Sequence, residues 1–236
     1  PSPDGKQIAF IKSTIDSEIY LMDPDGSNAI NITNWPSDHA NIVWNPDSSK
    51  IFFSSMRPGV PNIYSAEIKN LQLTNISNGP GLDGSFSISP DGKEIAFDSD
   101  RDGYMDIFVV NSEGGDARNL TNSNNIRDVE PIWSPDGEFI VFRSDRDGGS
   151  DIYIVSVSDN SIKNLTHTPQ ITETDISWSP DSKFIIFVAK TDAQLEIFRI
   201  GLDGSKPINL SQNSANDYSP IWVNDFPISG VPNATE

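Results

Sequence analysis

The sequence predicts an all-β fold: a five-bladed β-propeller of four-stranded antiparallel blades, closed by a C-terminal strand that pairs into the first blade. Three observations carry this. A Pro-Asp turn recurs along the chain at a nearly constant step. Each repeated unit holds four short strand-like runs. No stretch shows a sustained helical period with caps, while Gly 16 and Pro 17 supply many turns.

The turn first occurs as Ser2-Pro3-Asp4-Gly5. It returns as Asn45-Pro46-Asp47-Ser48, Ser89-Pro90-Asp91-Gly92, Ser134-Pro135-Asp136-Gly137 and Ser179-Pro180-Asp181-Ser182. The prolines step by 43, 44, 45 and 45 residues. Trp44, Trp133 and Trp178 precede the motif, with Ile88 in that place once. Trp222 stands 44 residues after Trp178 and opens a sixth copy. A fixed period near this length is the mark of propeller blades.

After each Pro-Asp turn comes an apolar run such as Ile51-Phe52-Phe53, Phe139-Ile140-Val141-Phe142 or Phe184-Ile185-Ile186-Phe187. Apolar residues at successive positions indicate strands buried on both faces. A second run follows, as in Asp106-Ile107-Phe108-Val109 and Asp151-Ile152-Tyr153-Ile154. Each unit then closes on a polar strand: Asn31-Ile32-Thr33, Gln72-Leu73-Thr74, Asn119-Leu120-Thr121, Asn164-Leu165-Thr166 or Asn209-Leu210-Ser211. One such sheet cannot bury two apolar faces, but a ring of them can. The polar strand is expected at the outer edge, blunted by its side chains. The first unit lacks its Trp strand, and Tyr218-Ser219-Pro220-Ile221-Trp222-Val223 is the expected replacement. Residues 1–224 then form a single propeller domain and 225–236 a loop or linker. The rival architecture is a piece of a six- or seven-bladed ring, because the chain opens on Pro1 inside a motif and without Met.

Composition narrows the function. Lys+Arg 16 against Asp+Glu 34 gives a formal net charge of -18, which argues against a duplex nucleic-acid binder. Cysteine is absent, so disulfides, thiolate metal sites and cysteine nucleophiles are excluded. No run of eighteen apolar residues exists, so no helical membrane span is expected.

The string Trp133-Ser134-Pro135-Asp136-Gly137-Glu138-Phe139-Ile140-Val141-Phe142-Arg143-Ser144-Asp145-Arg146-Asp147-Gly148-Gly149-Ser150-Asp151-Ile152-Tyr153, ending at Asn164-Leu165-Thr166, closely resembles the TolB-type propeller repeat. The unit from Ser89 to Thr121 resembles it equally, and nearly the whole chain is covered. The resemblance implies the propeller fold and a place in the periplasm or extracellular space. Such repeats also occur in non-catalytic propellers of serine peptidases and in polysaccharide lyases. The family's namesake has six blades and an extra N-terminal α/β domain, neither visible here. The resemblance therefore carries fold and not partner.

In an up-and-down meander the inter-blade connections reach the innermost strand and ring the mouth of the central channel. Five residues before each Trp position stand His39, Asp83, Asp128, Glu173 and Asp217. Three residues before it stand Asn41, Ser85, Glu130, Asp175 and Ser219. With Asp38 the mouth holds seven carboxylates against one cation, Arg127. An acidic funnel focuses field and attracts a cation, an amine or a basic peptide. The competing reading is that these acids cap strand ends. The binding set at the mouth is taken as His39, Asn41, Asp83, Asp128, Glu130, Glu173, Asp175 and Asp217.

The turns Asp100-Arg101-Asp102-Gly103 and Asp145-Arg146-Asp147-Gly148 are rich in oxygen ligands, which suits Ca²⁺ or another divalent cation. The EF-hand order is absent, and each turn holds an Arg able to pair with its own acids, so a plain hairpin turn is the favoured reading. The sequons at Asn31, Asn75, Asn119, Asn164 and Asn209 arise from the repeat itself. No nucleophile elbow, His-x-x-x-His pair or phosphate loop appears, so no catalytic residue or cofactor is assigned. Glu130 and Asp175 are the pair that a sugar-cleaving enzyme would use. The expectation is a non-catalytic, monomeric binding scaffold for a protein or peptide partner. An accessory propeller of a larger peptidase or envelope protein, or a carbohydrate-active enzyme, are the alternatives.

Overall fold

The computed structural model describes residues 1–13, 15–35, 37–57, 59–168, 171–191 and 194–222. The described residues are strands and turns without a helix, so none contains a helix long and apolar enough to cross a membrane. The first sheet holds β1 (Ile8–Ser13), β2 (Ser17–Met22) and β3 (Ile30–Asn31). The second holds β4 (His39–Trp44), β5 (Lys50–Ser55), β6 (Asn62–Glu67) and β7 (Leu73–Asn75). The third holds β8 (Asp83–Ile88), β9 (Glu94–Ser99), β10 (Asp106–Asn111) and β11 (Arg118–Asn119). The fourth holds β12 (Asp128–Trp133), β13 (Phe139–Ser144), β14 (Asp151–Ser156) and β15 (Ile162–Asn164). The fifth holds β16 (Glu173–Trp178), β17 (Phe184–Lys190), β18 (Leu195–Gly201) and β19 (Ile208–Asn209). Each strand pairs antiparallel with its sequence neighbour, and the sheets are the blades of a propeller.

The Pro-Asp turn is held by its own side chains. In the fourth sheet the Ser134 hydroxyl donates to Asp136 Oδ1 at 2.6 Å and accepts the Phe139 N–H at 3.0 Å. Asp136 Oδ1 also accepts the Glu138 N–H at 3.0 Å. This ties the inner strand to the next one at a fixed register. The same Ser–Asp clasp recurs at Ser2–Asp4, Ser89–Asp91 and Ser179–Asp181.

Apolar residues pack between successive sheets. Ile107, Val109 and Leu120 of the third meet Trp133, Phe142 and Tyr153 of the fourth. Val141, Ile152 and Leu165 of the fourth meet Trp178, Phe187 and Ile200 of the fifth. Equivalent clusters join the first sheet to the second and the second to the third. Phe52, Phe53, Phe97, Phe142 and Ile140 are fully buried, as strands covered on both faces require.

Among the described residues the closing strand is not paired. The first sheet keeps three strands, and 218–222 join no ladder. Among the described residues no buried cluster links the fifth sheet to the first, and Leu210 and Ile221 are exposed. The expected final strand residue Val223 and the linker 225–236 lie outside the described residues.

One expectation is corrected, that of the outer strand. Its ladder stops at the Asn, and the following Leu or Ile turns inward: Ile32, Ile76, Leu120 and Leu165 are buried. The following hydroxyl accepts a backbone N–H of the strand beside it, as Thr121 does from Ile107 and Thr166 from Ile152, both at 3.0 Å. In the second sheet this role falls to Asn75-Ile76-Ser77, with Ser77 accepting from Ile63, and not to Gln72-Leu73-Thr74. The apolar residue in each triplet has to reach the neighbouring blade's core, which a purely polar edge would not require.

Candidate channel-mouth site

The inner strands β4, β12 and β16 each break register between their second and fifth residues, and β8 between its first and fourth. At the break, Asn41, Glu130 and Asp175 take left-handed φ values of 55°, 58° and 51°. Ser219 repeats this at 49°. A bulge of this kind bends the strand and re-aims a side chain. Its left-handed geometry is costly for residues other than glycine. Ser85, Phe86, Ser87, Glu130, Pro131, Ile132, Asp175 and Ile176, from three successive inner strands, line one open cavity of about 310 Å³.

The eight expected mouth residues divide into two groups. His39, Asp83, Asp128 and Glu173 begin their strands and are buried, at 3%, 1%, 0% and 1% exposure. Asn41 and Asp175 are exposed, and Glu130 and Asp217 are half-buried. The strand-start acids are joined to cations that the sequence placed elsewhere. Arg101 Nη2 donates to Asp83 Oδ1 at 2.8 Å, and Arg146 Nη2 to Asp128 Oδ2 at 2.7 Å. The hairpin arginines thus bond across to the inner strand and not to the acids of their own turns, contrary to expectation. Each lies over aromatic rings, Arg146 at 4.9 Å from the Tyr153 centroid and Arg101 at 4.7 Å from that of Phe97.

The turn acids are engaged separately. Asp147 accepts from the Tyr153 hydroxyl and from Asn164 Nδ2, and Asp100 and Asp145 accept the N–H groups of Leu82 and Arg127. Among the described residues no group of three or more His, Asp or Glu side chains is arranged to hold a metal ion.

In the channel wall Glu130 is bonded by Arg143 through Nε and Nη2. Asp175 Oδ2 accepts the Ser219 N–H at 2.9 Å, and Asp217 accepts from Asn213 Nδ2 at 2.7 Å. The mouth therefore carries less free negative charge than a count of carboxylates suggests.

One wall residue was missed. Asp98, on β9, accepts the N–H of Ser85 at 3.1 Å through Oδ1 and that of Glu130 at 2.8 Å through Oδ2, so one carboxylate straps β8 to β12. Burial pushes its pKa up to about 6, partly offset by those two N–H bonds. A Cβ at Gly84 would lie 2.0 Å from Asp98 Oδ1, so only glycine admits this approach. The available signal was a charge inside an apolar run, Ile95-Ala96-Phe97-Asp98, at the place where Arg143 stands in the next unit.

Glu173 is the other displaced acid. Its carboxyl takes the Thr168 hydroxyl, and burial pushes its pKa up to about 7, assisted by the nearby Asp151 charge. His39 packs edge-on against Phe53 at 5.5 Å and beside Trp35 at 6.3 Å. Burial lowers its pKa despite the opposing pull of Glu18, Asp38 and Asp16.

The TolB β-propeller domain model matches residues 66–226. No curated protein matches the chain. Among solved structures the chain is similar to TolB from Acinetobacter baumannii, with 23% identity, TM-score 0.67, and 89% of this chain aligned to 54% of that one. It is similar to an oligogalacturonate lyase solved with manganese, with 14% identity, TM-score 0.72, and 89% of this chain aligned to 63% of that one. It is also similar to a puromycin-hydrolysing peptidase from Mycobacterium tuberculosis, with 13% identity, TM-score 0.70, and 87% of this chain aligned to 36% of that one. The chain spans less than two thirds of each of these three. At such identities the likeness is one of fold.

Proposed function

The chain belongs to the TolB β-propeller domain family, and on that premise we propose that it is a non-catalytic binding scaffold whose channel mouth takes a basic protein segment or cation. The observation that carries the reading is the repeated bulge. Asn41, Glu130 and Asp175 sit at the same place on three inner strands in a costly backbone conformation that a plain ladder does not require. They form the contact surface with exposed Asp38 and half-buried Asp217, while His39, Asp83, Asp128 and Glu173 shape the mouth beneath it. The partner is a basic peptide segment, and the site of action is the periplasm or extracellular space.

Calorimetry tests this with a lysine- and arginine-rich peptide. Binding should weaken as salt is raised, since exposed charges are screened beyond a Debye length of about 10 Å at 0.1 M. The double change Asp38→Asn with Asp175→Asn should weaken it about tenfold while leaving the fold intact. Binding that is indifferent to both salt and these changes would overturn the reading.

A second reading, an accessory propeller within a larger peptidase or envelope protein, is favoured by the chain spanning 36% of the peptidase and 54% of the A. baumannii protein. It is compatible with the first. Acid–base work on a sugar by Glu130 and Asp175 is less favoured, because Arg143 and Ser219 already engage the two carboxylates.

A further inference from the structure

At the seam between the second and third sheets, on the rim of the mouth, lies an open cavity of about 310 Å³. Strand alternation sets its floor. Phe52 and Ile63 pack with the third sheet's Ile95 and Phe97; Ser54 stands opposite Ile63, and Ala40 opposite Ser54, so both turn toward the third sheet. Met56, Pro61 and Leu82 add an apolar wall, and Met56 and Leu82 are 46% and 42% exposed.

Backbone bonds fix the places of these three residues in the repeat. The Met56 N–H donates to Asp38 O, that of Asp100 to Leu82 O and that of Asp145 to Arg127 O. The Asp83 N–H donates to Pro61 O, that of Asp128 to Met105 O and that of Glu173 to Ser150 O. At the places of Met56, Pro61 and Leu82 the next seam therefore holds Asp100, Met105 and Arg127, and the one after it Asp145, Ser150 and Thr172. Of these three seams only the first is apolar at all three places. The connection accepts charge there, so the repeat does not demand an apolar wall. Single exposed apolar residues need no cause, but three on one cavity do. Methionine adapts its shape to what it meets. Asp38 is exposed on the rim, which favours cations around the opening. Ser85 lines both this cavity and the one lined by Glu130 and Asp175, so the pocket is continuous with the proposed contact surface.

We infer that this pocket takes one aliphatic side chain, the chemistry of leucine, from the basic segment, as an anchor between its cationic residues. The inference rests on the proposed binding of a basic segment and adds what that segment carries besides charge. Apolar burial contributes affinity that salt does not screen, whereas the flanking charges are screened. A desolvated anchor inside a charged rim is the usual seat of binding energy in a small interface.

The test titrates the whole chain by calorimetry with an acetylated peptide amide that holds leucine between two pairs of lysines, and with the same peptide carrying serine in the middle. The leucine peptide should bind about tenfold tighter, or about 1.4 kcal/mol. Added salt should weaken both and leave their ratio unchanged. Met56→Asp and Leu82→Arg install the residues that the next seam holds at the same places, and each should bring the ratio close to one. Each variant meets both peptides, so its own charge cancels from the ratio. The Met56 methyl, from one of only three methionines, gives a second readout by NMR. It should move with the leucine peptide and not with the serine one, while Met22 and Met105 stay in place. Equal binding of the two peptides, or shifts at Glu130 and Asp175 with a stationary Met56 methyl, would overturn the inference and leave the mouth proposal standing. A leucine peptide flanked by glutamates that binds as well would overturn the basic setting of the anchor. Movement of the Met56 methyl with protein concentration alone would assign the pocket to a second copy and overturn it too. Failure of both lysine peptides to bind would remove the inference and the mouth proposal together.

Discussion

Asp128→Ala should cost about 3–5 kcal/mol of folding stability, the range for removing one partner of a buried ion pair. The Asp128 side chain is wholly buried and the Arg146 side chain about one-fifth exposed. Arg146 cannot swing freely into water, because its Nε donates to Ser144 at 2.9 Å and its guanidinium lies over Phe142 and Tyr153. Loss of the acid leaves a cation held in place without its counter-charge. Against a typical total of about 5–15 kcal/mol, that is a large share. Asp175→Ala, two positions into the next inner strand and exposed, should cost no more than about 0.5 kcal/mol. Urea denaturation of the two variants checks the contrast. Similar small losses for both would mean that the strand-start acids are surface groups, which their burial contradicts.

Glu173→Gln should change the pH dependence of stability. The sign follows from proton binding. The unfolded carboxyl titrates near its ordinary 4.5 and the folded one near about 7, so between these values the native state holds more protons. Stability that this group contributes at acid pH is therefore lost as pH rises through that window, by about 3 kcal/mol in total. Glutamine keeps an acceptor for the Thr168 hydroxyl and cannot ionise. Compared with wild type, the variant should gain about 2–3 kcal/mol on passing from about pH 5 to about pH 8. Asp98, raised to about 6, gives a slope of the same sign in both proteins and so drops out of the difference. Denaturant midpoints across this range test it; parallel pH curves would show that the Glu173 carboxyl is solvated.

The blades were legible because the signals are local. A Ser-Pro-Asp-Gly turn bonds to itself, and a run such as Phe139-Ile140-Val141-Phe142 reports two-sided burial without knowledge of its neighbours. The inner-strand residues were also found, since they stand at fixed offsets from Trp. Their division into buried and exposed sets was not legible. His39 and Asn41 are both polar and two positions apart, so simple alternation puts them on one face. The left-handed residue at the bulge separates them, and no residue type announces it: Asn41, Glu130 and Asp175 all adopt it. The Arg146–Asp128 pair spans eighteen residues and depends on register, so the turn arginine appeared to serve its own turn. The segment expected to close the ring is written in the same local terms. Trp222 carries the inner-strand signature, and Asp217 enters with the backbone bond to Leu195 that Asp128 makes to Met105. A signature fixes local form and not which edge it will pair with.

In the proposed site the bulge residues form the contact surface and the strand-start residues build it. Amide shift mapping of the whole chain with a basic peptide tests this most directly. Perturbations should centre on Asn41, Ser85, Glu130 and Asp175, with the opposite end around Lys6, Lys93 and Lys183 silent. Perturbations gathered at that opposite end, or along the outer strands, would contradict it.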